Sequence, residues 1–247
     1  MKHIVVTGGT SGVGLAIAKD LARAGHQVII IGRNHDRARV AKTAIQGDVT
    51  VVLGDLATDS GRAAVNAGIS EKFERIDVLI HSAGIVPQTA KENVENNLLA
   101  HYFLTMGLQN RLINARVLIV TGAPLALRLA PISENQTHSL SRAAWLLTHK
   151  TLLMYLLADQ FKHNHTTVNS FFPGGVQSQL MPYTARLHNT SVPVGQYLAV
   201  DPNLDGMTAT FFDQNGDVIQ LNPNRYNGQQ AKKILGQYID NLEKNGR

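Results

Sequence analysis

The residues best suited to chemistry fall into two groups. The first is the run Thr7-Gly8-Gly9-Thr10-Ser11-Gly12-Val13-Gly14. It follows the apolar Ile4-Val5-Val6 and precedes Leu15, Ile17, Ala18, Leu21 and Ala22 at helical spacing. Glycines between a strand and a helix let the backbone pass close to a phosphate, while the first helical N–H groups face its charge. This context predicts that Gly8, Thr10, Ser11, Gly12, Val13 and Gly14 hold the pyrophosphate of a dinucleotide; the alternative is a tight turn without a ligand. The second group could move protons: the ten histidines, and Lys150, a lysine set among leucines. The six tyrosines are Tyr102, Tyr155, Tyr183, Tyr197, Tyr226 and Tyr238, and none has Lys or Arg four residues later. With no cysteine, thiolate metal sites and disulfides are excluded. His163-Asn164-His165 has no further ligand at metal spacing and reads as a polar loop, so no metal is expected.

These groups need a scaffold, and the chain supplies alternating strands and helices. Apolar runs at Ile4–Val6, Val28–Ile31, Val51–Leu53, Val78–Ile80, Val117–Val120 and Val168–Phe172 read as strands, with Thr208–Phe212 as a candidate last one. Helices are predicted after Val13, from about Asp36, from a Ser60 cap through Ala67, from about Asn93 past Met106, within Ser139–Phe161, and over Gln229–Lys244. Strands that do not alternate in polarity imply a parallel sheet covered on both faces. The expectation is one α/β domain over residues 1–247, a doubly wound Rossmann-type sheet of about seven strands. No repeat or low-complexity linker divides it. Residues 181–193, mixing Pro, Thr, Asn and Ser, read as a mobile excursion on the substrate side.

The wide spacing T-G-x-x-x-G-x-G resembles the turn of the short-chain dehydrogenase/reductase family. Further matches follow in order. Asp55-Leu56 is similar to the pair that contacts adenine. His81-Ser82-Ala83-Gly84 matches the family's N-N-A-G at Ala83 and Gly84 only. Asn97 fits the helix asparagine, and Pro173-Gly174 the turn beside the nicotinamide. Tyr197 to Gly206 and Thr210-Phe211-Phe212 resemble the retinol-dehydrogenase-like branch. The resemblance implies a serine after the fifth strand and a Tyr-x-x-x-Lys helix, which puts tyrosine and lysine on one face. Here the serine falls on Gly122, with Thr121 before it.

Three registers compete for the helix. His138 to Arg142 sets His for Tyr and Arg for Lys. Leu146 to Lys150 keeps the lysine with Leu at the tyrosine position. Ala143 and Leu147 keep neither. The second fits the longer loop of the retinol-dehydrogenase-like branch and is preferred. The implied catalytic set is Asn97, Thr121, His138 and Lys150, with His138 as substitute acid, since a histidine titrates near neutrality. The alternatives are a surface-loop role for His138, a strand-end role for Thr121 and a helix-surface role for Lys150. Lys150 lies among Leu146, Leu147, Leu152 and Leu153, where a charge is costly without a polar partner, and ribose hydroxyls would serve as one.

Ile31-Gly32-Arg33 ends the second strand with a base where an acid would select NAD. Arg33 therefore points to the 2′-phosphate of NADP, with NAD left open by the nearby Asp36, which is expected to cap the next helix. The net charge of +5 is scattered, without a basic run, so nucleic acid is not expected. Met1-Lys2-His3 runs straight into a strand and no apolar stretch reaches membrane length, so a cytoplasmic protein without membrane association is expected. Leu98, Leu99, Tyr102, Phe103, Trp145, Leu152 and Leu156 read as core or subunit-contact faces, and the resemblance implies a homo-oligomer, a dimer. The expected function is hydride transfer between NADP(H) and a small apolar carbonyl or alcohol lying under Met181, Tyr183 and Leu187. The alternative is a catalytically impaired NADP(H)-binding protein that acts as a sensor or regulatory partner.

Overall fold

The structure is a computed structural model and describes residues 1–243. Seven parallel strands form one sheet: β1 (His3–Thr7), β2 (Gln27–Gly32), β3 (Val49–Leu53), β4 (Val78–His81), β5 (Arg116–Val120), β6 (Thr167–Phe171) and β7 (Phe211–Phe212). Their order is β3-β2-β1-β4-β5-β6-β7, so the winding reverses between β1 and β4 and opens a crevice at their carboxyl ends.

Both faces of the sheet are apolar, which is why the strand runs do not alternate. Val5, Ile29, Leu79 and Val117 point into one layer with α3 (Asp59–Ser70), α5 (Ala100–Gly107), α7 (Ser139–Phe161) and α9 (Gly228–Glu243). Ile4, Val6, Ile30 and Ile80 point into the other, against α1 (Gly12–Arg23) and α8 (Pro193–Val200). Leu98, Leu99, Tyr102, Trp145, Leu152 and Leu156 are buried in the first core, with Phe103 packed against it. Among the described residues no helix is long and apolar enough to cross a membrane.

Several boundaries differ from expectation, each for a local reason. Asn34, not Asp36, caps α2 (His35–Ala44), accepting the Arg37 N–H; Asp36 lies in its first turn. Thr58, not Ser60, caps α3 through the Gly61 N–H. The helix expected from Asn93 starts at Ala90, where Thr89 and Glu92 form a capping box. It comprises α4 (Ala90–Val94), a π-turn at Glu95–Leu99, and α5. The last strand is only Phe211–Phe212, because Thr208 turns its hydroxyl to the Val168 N–H and Ala209 is left-handed at φ 54°. Lys244, expected to end the last helix, lies outside the described residues. Between β5 and α7 lies the short helix α6 (Pro124–Leu129). Residues 181–193 contain a 3-10 turn at Thr184–Arg186, held by a Ser178–Thr184 hydroxyl contact of 2.8 Å.

Candidate active site

The crevice is built around the end of β1. Thr7 Oγ1 accepts the Ser82 and Ala83 N–H groups at 3.1 and 3.0 Å, tying β1 to the chain leaving β4. Gly8 then turns at φ 66°, and a Cβ there would lie 2.8 Å from Ala83 Cα. Gly14, in the first turn of α1, lets that helix close on the Gly8 carbonyl, 2.5 Å from where a Cβ would stand. The α1 N-cap, Ser11, makes no side-chain cap hydrogen bond, and the first turn holds no acid. Its first N–H groups thus lack a side-chain cap beside the crevice; Thr10 and Ser11 line the cleft, whereas Gly12, Val13 and Gly14 lie outside its lining. This suits a phosphate.

Gly8, Thr10, Ser11, Arg33, Asp55, Leu56, Ala83 and Gly84 all line the cleft. Arg33 lies 3.9 Å from the Asp55 carboxylate. Sequence reasoning missed Arg37, which also lines the cleft from α2 and donates to Gln179 Oε1 at 3.3 Å. Arg33 and Arg37 thus share the cleft lining with Asp55 beside the β2 end. Pro173-Gly174 follows β6, with Gly174 turning at φ 80°.

Asn97 sits in the π-turn and is fully buried. Its Oδ1 accepts the Ile85 N–H at 3.0 Å, and its Nδ2 donates to the Ile85 carbonyl at 3.1 Å and to Asn93 Oδ1 at 2.9 Å. Asn97 therefore pins the cleft wall. Lys150 is buried on α7, and its Nζ donates to the Ala83 carbonyl at 3.4 Å, just behind that wall. Burial lowers its pKa to about 8. Of the three registers, only that of Lys150 brings a cation to Ala83. Arg142 instead donates to the Pro87 and Gln136 carbonyls.

The remaining expected groups are occupied elsewhere. His138 is exposed and caps α7, its Nδ1 accepting the Ser141 N–H at 3.2 Å, and it is absent from the cleft lining. Thr121 is buried beside Thr151, Oγ1 to Oγ1 3.3 Å. Thr151 donates to the Leu147 carbonyl at 2.9 Å, so the Thr121 hydroxyl is the donor between the two. A Cβ at Gly122 would collide with Leu147 Cδ2. The space of a serine side chain is therefore filled by α7.

Residues 2–121 match the family model for short chain dehydrogenase. The chain is 36% identical over 115 residues to an uncharacterized oxidoreductase of Emericella nidulans, covering 42% of this chain and 45% of that one. It thus spans less than half the length of that relative. Retinol dehydrogenase 13 of Homo sapiens is 25% identical over 94% of this chain and 77% of its own. A short chain dehydrogenase from Shigella flexneri, solved complexed with NADP, superposes with a TM-score of 0.72 at 22% identity, covering 87% of this chain and 97% of that one. The chain is thus similar to short chain dehydrogenases over the matched segment, and its sheet order and superposition agree with their fold.

Proposed function

We propose that this chain binds NADP(H) in the crevice between β1, β2 and β4 and acts as an oxidoreductase on a small apolar carbonyl or alcohol. The observation that carries this reading is the joined cleft. An uncapped α1 and its glycine turn face one end, Arg33 and Arg37 stand by the β2 end, and Lys150 lies behind Ala83.

The α1 N–H groups and Ser11 would hold the pyrophosphate. Arg33 and Arg37 would hold the 2′-phosphate; the excess of cation over carboxylate there favours NADP over NAD. Asp55 and Leu56 would border the adenine, and Pro173-Gly174 the nicotinamide. The dinucleotide, when bound, supplies or accepts the hydride. Lys150 would bond the ribose hydroxyls and deliver a proton from Nζ to the substrate oxygen. It takes the acid role because Leu146 stands at the tyrosine position and His138 caps a helix. An ammonium with a pKa of about 8 is suited to that role near neutral pH. Asn97 would keep the Ile85 segment, and so the wall at Ala83, in place.

A second reading, an NADP(H)-binding protein with little turnover, is favoured by one observation. Leu147 covers Gly122 and Thr121 donates to Thr151, so no hydroxyl from this edge is free to polarise a substrate oxygen. Two assays separate the readings. NADPH fluorescence titration detects binding under both, whereas NADPH consumption across a panel of apolar aldehydes and ketones occurs only under the first. Absence of binding contradicts both.

A further inference from the structure

The cleft wall is laced to α7 along its length. Lys150 Nζ donates to the Ala83 carbonyl at 3.4 Å, and nearer the head of the same helix Arg142 Nε donates to the Pro87 carbonyl at 3.0 Å. At 1.5 Å per helical residue, Arg142 and Lys150 stand about 12 Å apart along the axis. An extended chain from Ala83 to Pro87 reaches about 13 Å. The two lengths match, so segment and helix run side by side, tied at both ends. Ala83, Gly84 and Ile85 also line the cleft. The segment is therefore at once the wall of the cleft and the partner of Lys150.

Its middle is held by two fully buried amides, Asn93 on α4 and Asn97 in the π-turn, whose orientation follows from both ends of the chain. The Arg142 carbonyl can only accept, so the Asn93 atom 3.0 Å from it is Nδ2. The other Nδ2 proton goes to Gln136 Oε1 at 2.7 Å. Asn93 Oδ1 is then the acceptor facing Asn97, whose Nδ2 donates to it at 2.9 Å. Ile85 gives the same answer from the far end: its N–H requires Asn97 Oδ1 and its carbonyl requires Asn97 Nδ2. Turning either amide over would set donor against donor and acceptor against acceptor in the core. Gln136 is held in turn, its carbonyl accepting Arg142 Nη1 at 3.2 Å. We propose that Asn93 is the hub of a brace, running from Arg142 and Gln136 through Asn97 to Ile85, that sets the position of the cleft wall and so of the carbonyl that receives Lys150. Asn93, Gln136 and Arg142 are positioning residues, and none of them lines the cleft. The inference rests on the proposed role of Lys150 for its catalytic meaning, and it supplies the cause of the lysine's placement.

The test is native-state amide hydrogen exchange, read by NMR on the unligated parent, Asn93→Leu and Gln136→Ala. Asn93→Leu keeps the side-chain size and removes every amide hydrogen bond. The Ile85 amide should exchange about 10-fold faster in Asn93→Leu and about 3-fold faster in Gln136→Ala, as its acceptor Asn97 loses support. The Gly54 amide, which donates to the Gly32 carbonyl at 3.0 Å on the other side of the cleft, should exchange as in the parent. An unchanged Ile85 rate, or Ile85 and Gly54 speeding up alike, overturns the proposal. If Asn93→Leu does not fold, Gln136→Ala, which alters only a half-buried side chain, carries the same test. The second readout is the Lys150 titration, followed at ¹³Cε and assigned with Lys150→Met. As the ammonium loses its carbonyl, the midpoint should fall from about 8 by about half a pH unit. An unmoved midpoint in the folded variants detaches Lys150 from the brace and also overturns it. Both readouts are made without cofactor or turnover. Failure of the proposed enzymatic activity therefore leaves them intact, and their failure leaves that activity standing.

Discussion

Lowering the pH from 7 to 5 should strip stability from this fold in a way traceable to His81 and His101. Both rings are neutral in the folded state, because burial lowers their proton affinity. In the unfolded chain each binds a proton near pH 6.5. Below that value the unfolded state holds more protons than the folded one, so stability falls as pH falls. The loss continues until the folded-state values are reached, about 3 for His81. Between pH 7 and 5 each histidine should cost about 2 kcal/mol, and the pair about 4 kcal/mol, a large part of a typical domain's stability. Lys150 does not interfere, because its lowering to about 8 acts only in alkali, between about 8 and 10.5. The assay is urea unfolding by circular dichroism at pH 7, 6 and 5, on the parent and on His81→Asn. The variant should recover about half of the acid loss. His26, also lowered, weighs on both proteins alike. Equal losses in parent and variant would refute the assignment of a neutral buried pair.

Four further outcomes are expected. Arg33→Ala and Arg37→Ala should each weaken NADPH binding roughly 10- to 100-fold in fluorescence titration, with NADH little affected; equal effects on both dinucleotides would remove the 2′-phosphate from this corner. Leu146→Tyr should raise NADPH turnover by about 10²-fold, restoring an acid one helical turn before Lys150. Gly122→Ser alone should displace the end of the Leu147 side chain and lower stability by no more than about 1 kcal/mol in urea unfolding. Asn97→Ala should cost about 3 kcal/mol, since it leaves the Ile85 N–H and carbonyl unpartnered; an unchanged unfolding midpoint would show that the wall does not depend on it.

The strand pattern and the glycine turn were legible because they are local. An apolar run, a positive-φ turn and an amphipathic helix follow one another within the first two dozen residues. Lys150 was also legible, as a charge among leucines that needs a polar partner, and it has one in the Ala83 carbonyl. What stayed hidden depends on pairs far apart in sequence. Leu147 fills the space above Gly122, a fit that appears only when α7 packs beside β5. His81 and His101 meet because β4 and α5 share a layer; read singly, His81 was only a departure from a motif. Arg37 reads as an ordinary helix-surface base until its helix is set beside the cleft. The errors at Asp36 and Ser60 were choices between neighbouring capping residues, where position relative to the first turn decides and composition does not. His138 shows the converse: its chemistry suited an acid, and its place at the head of α7 made it a cap.

The central claim is hydride transfer with Lys150 as the proton source. It is tested most directly by mass spectrometry of the product formed from 4,4-dideuterated NADPH and an apolar aldehyde, across pH 6 to 10. The account predicts one deuterium at the former carbonyl carbon, formed at a rate that falls as pH rises through about 8, where Lys150 loses its proton. NADPH bound with no deuterium transferred at any pH would contradict it and leave a binding protein.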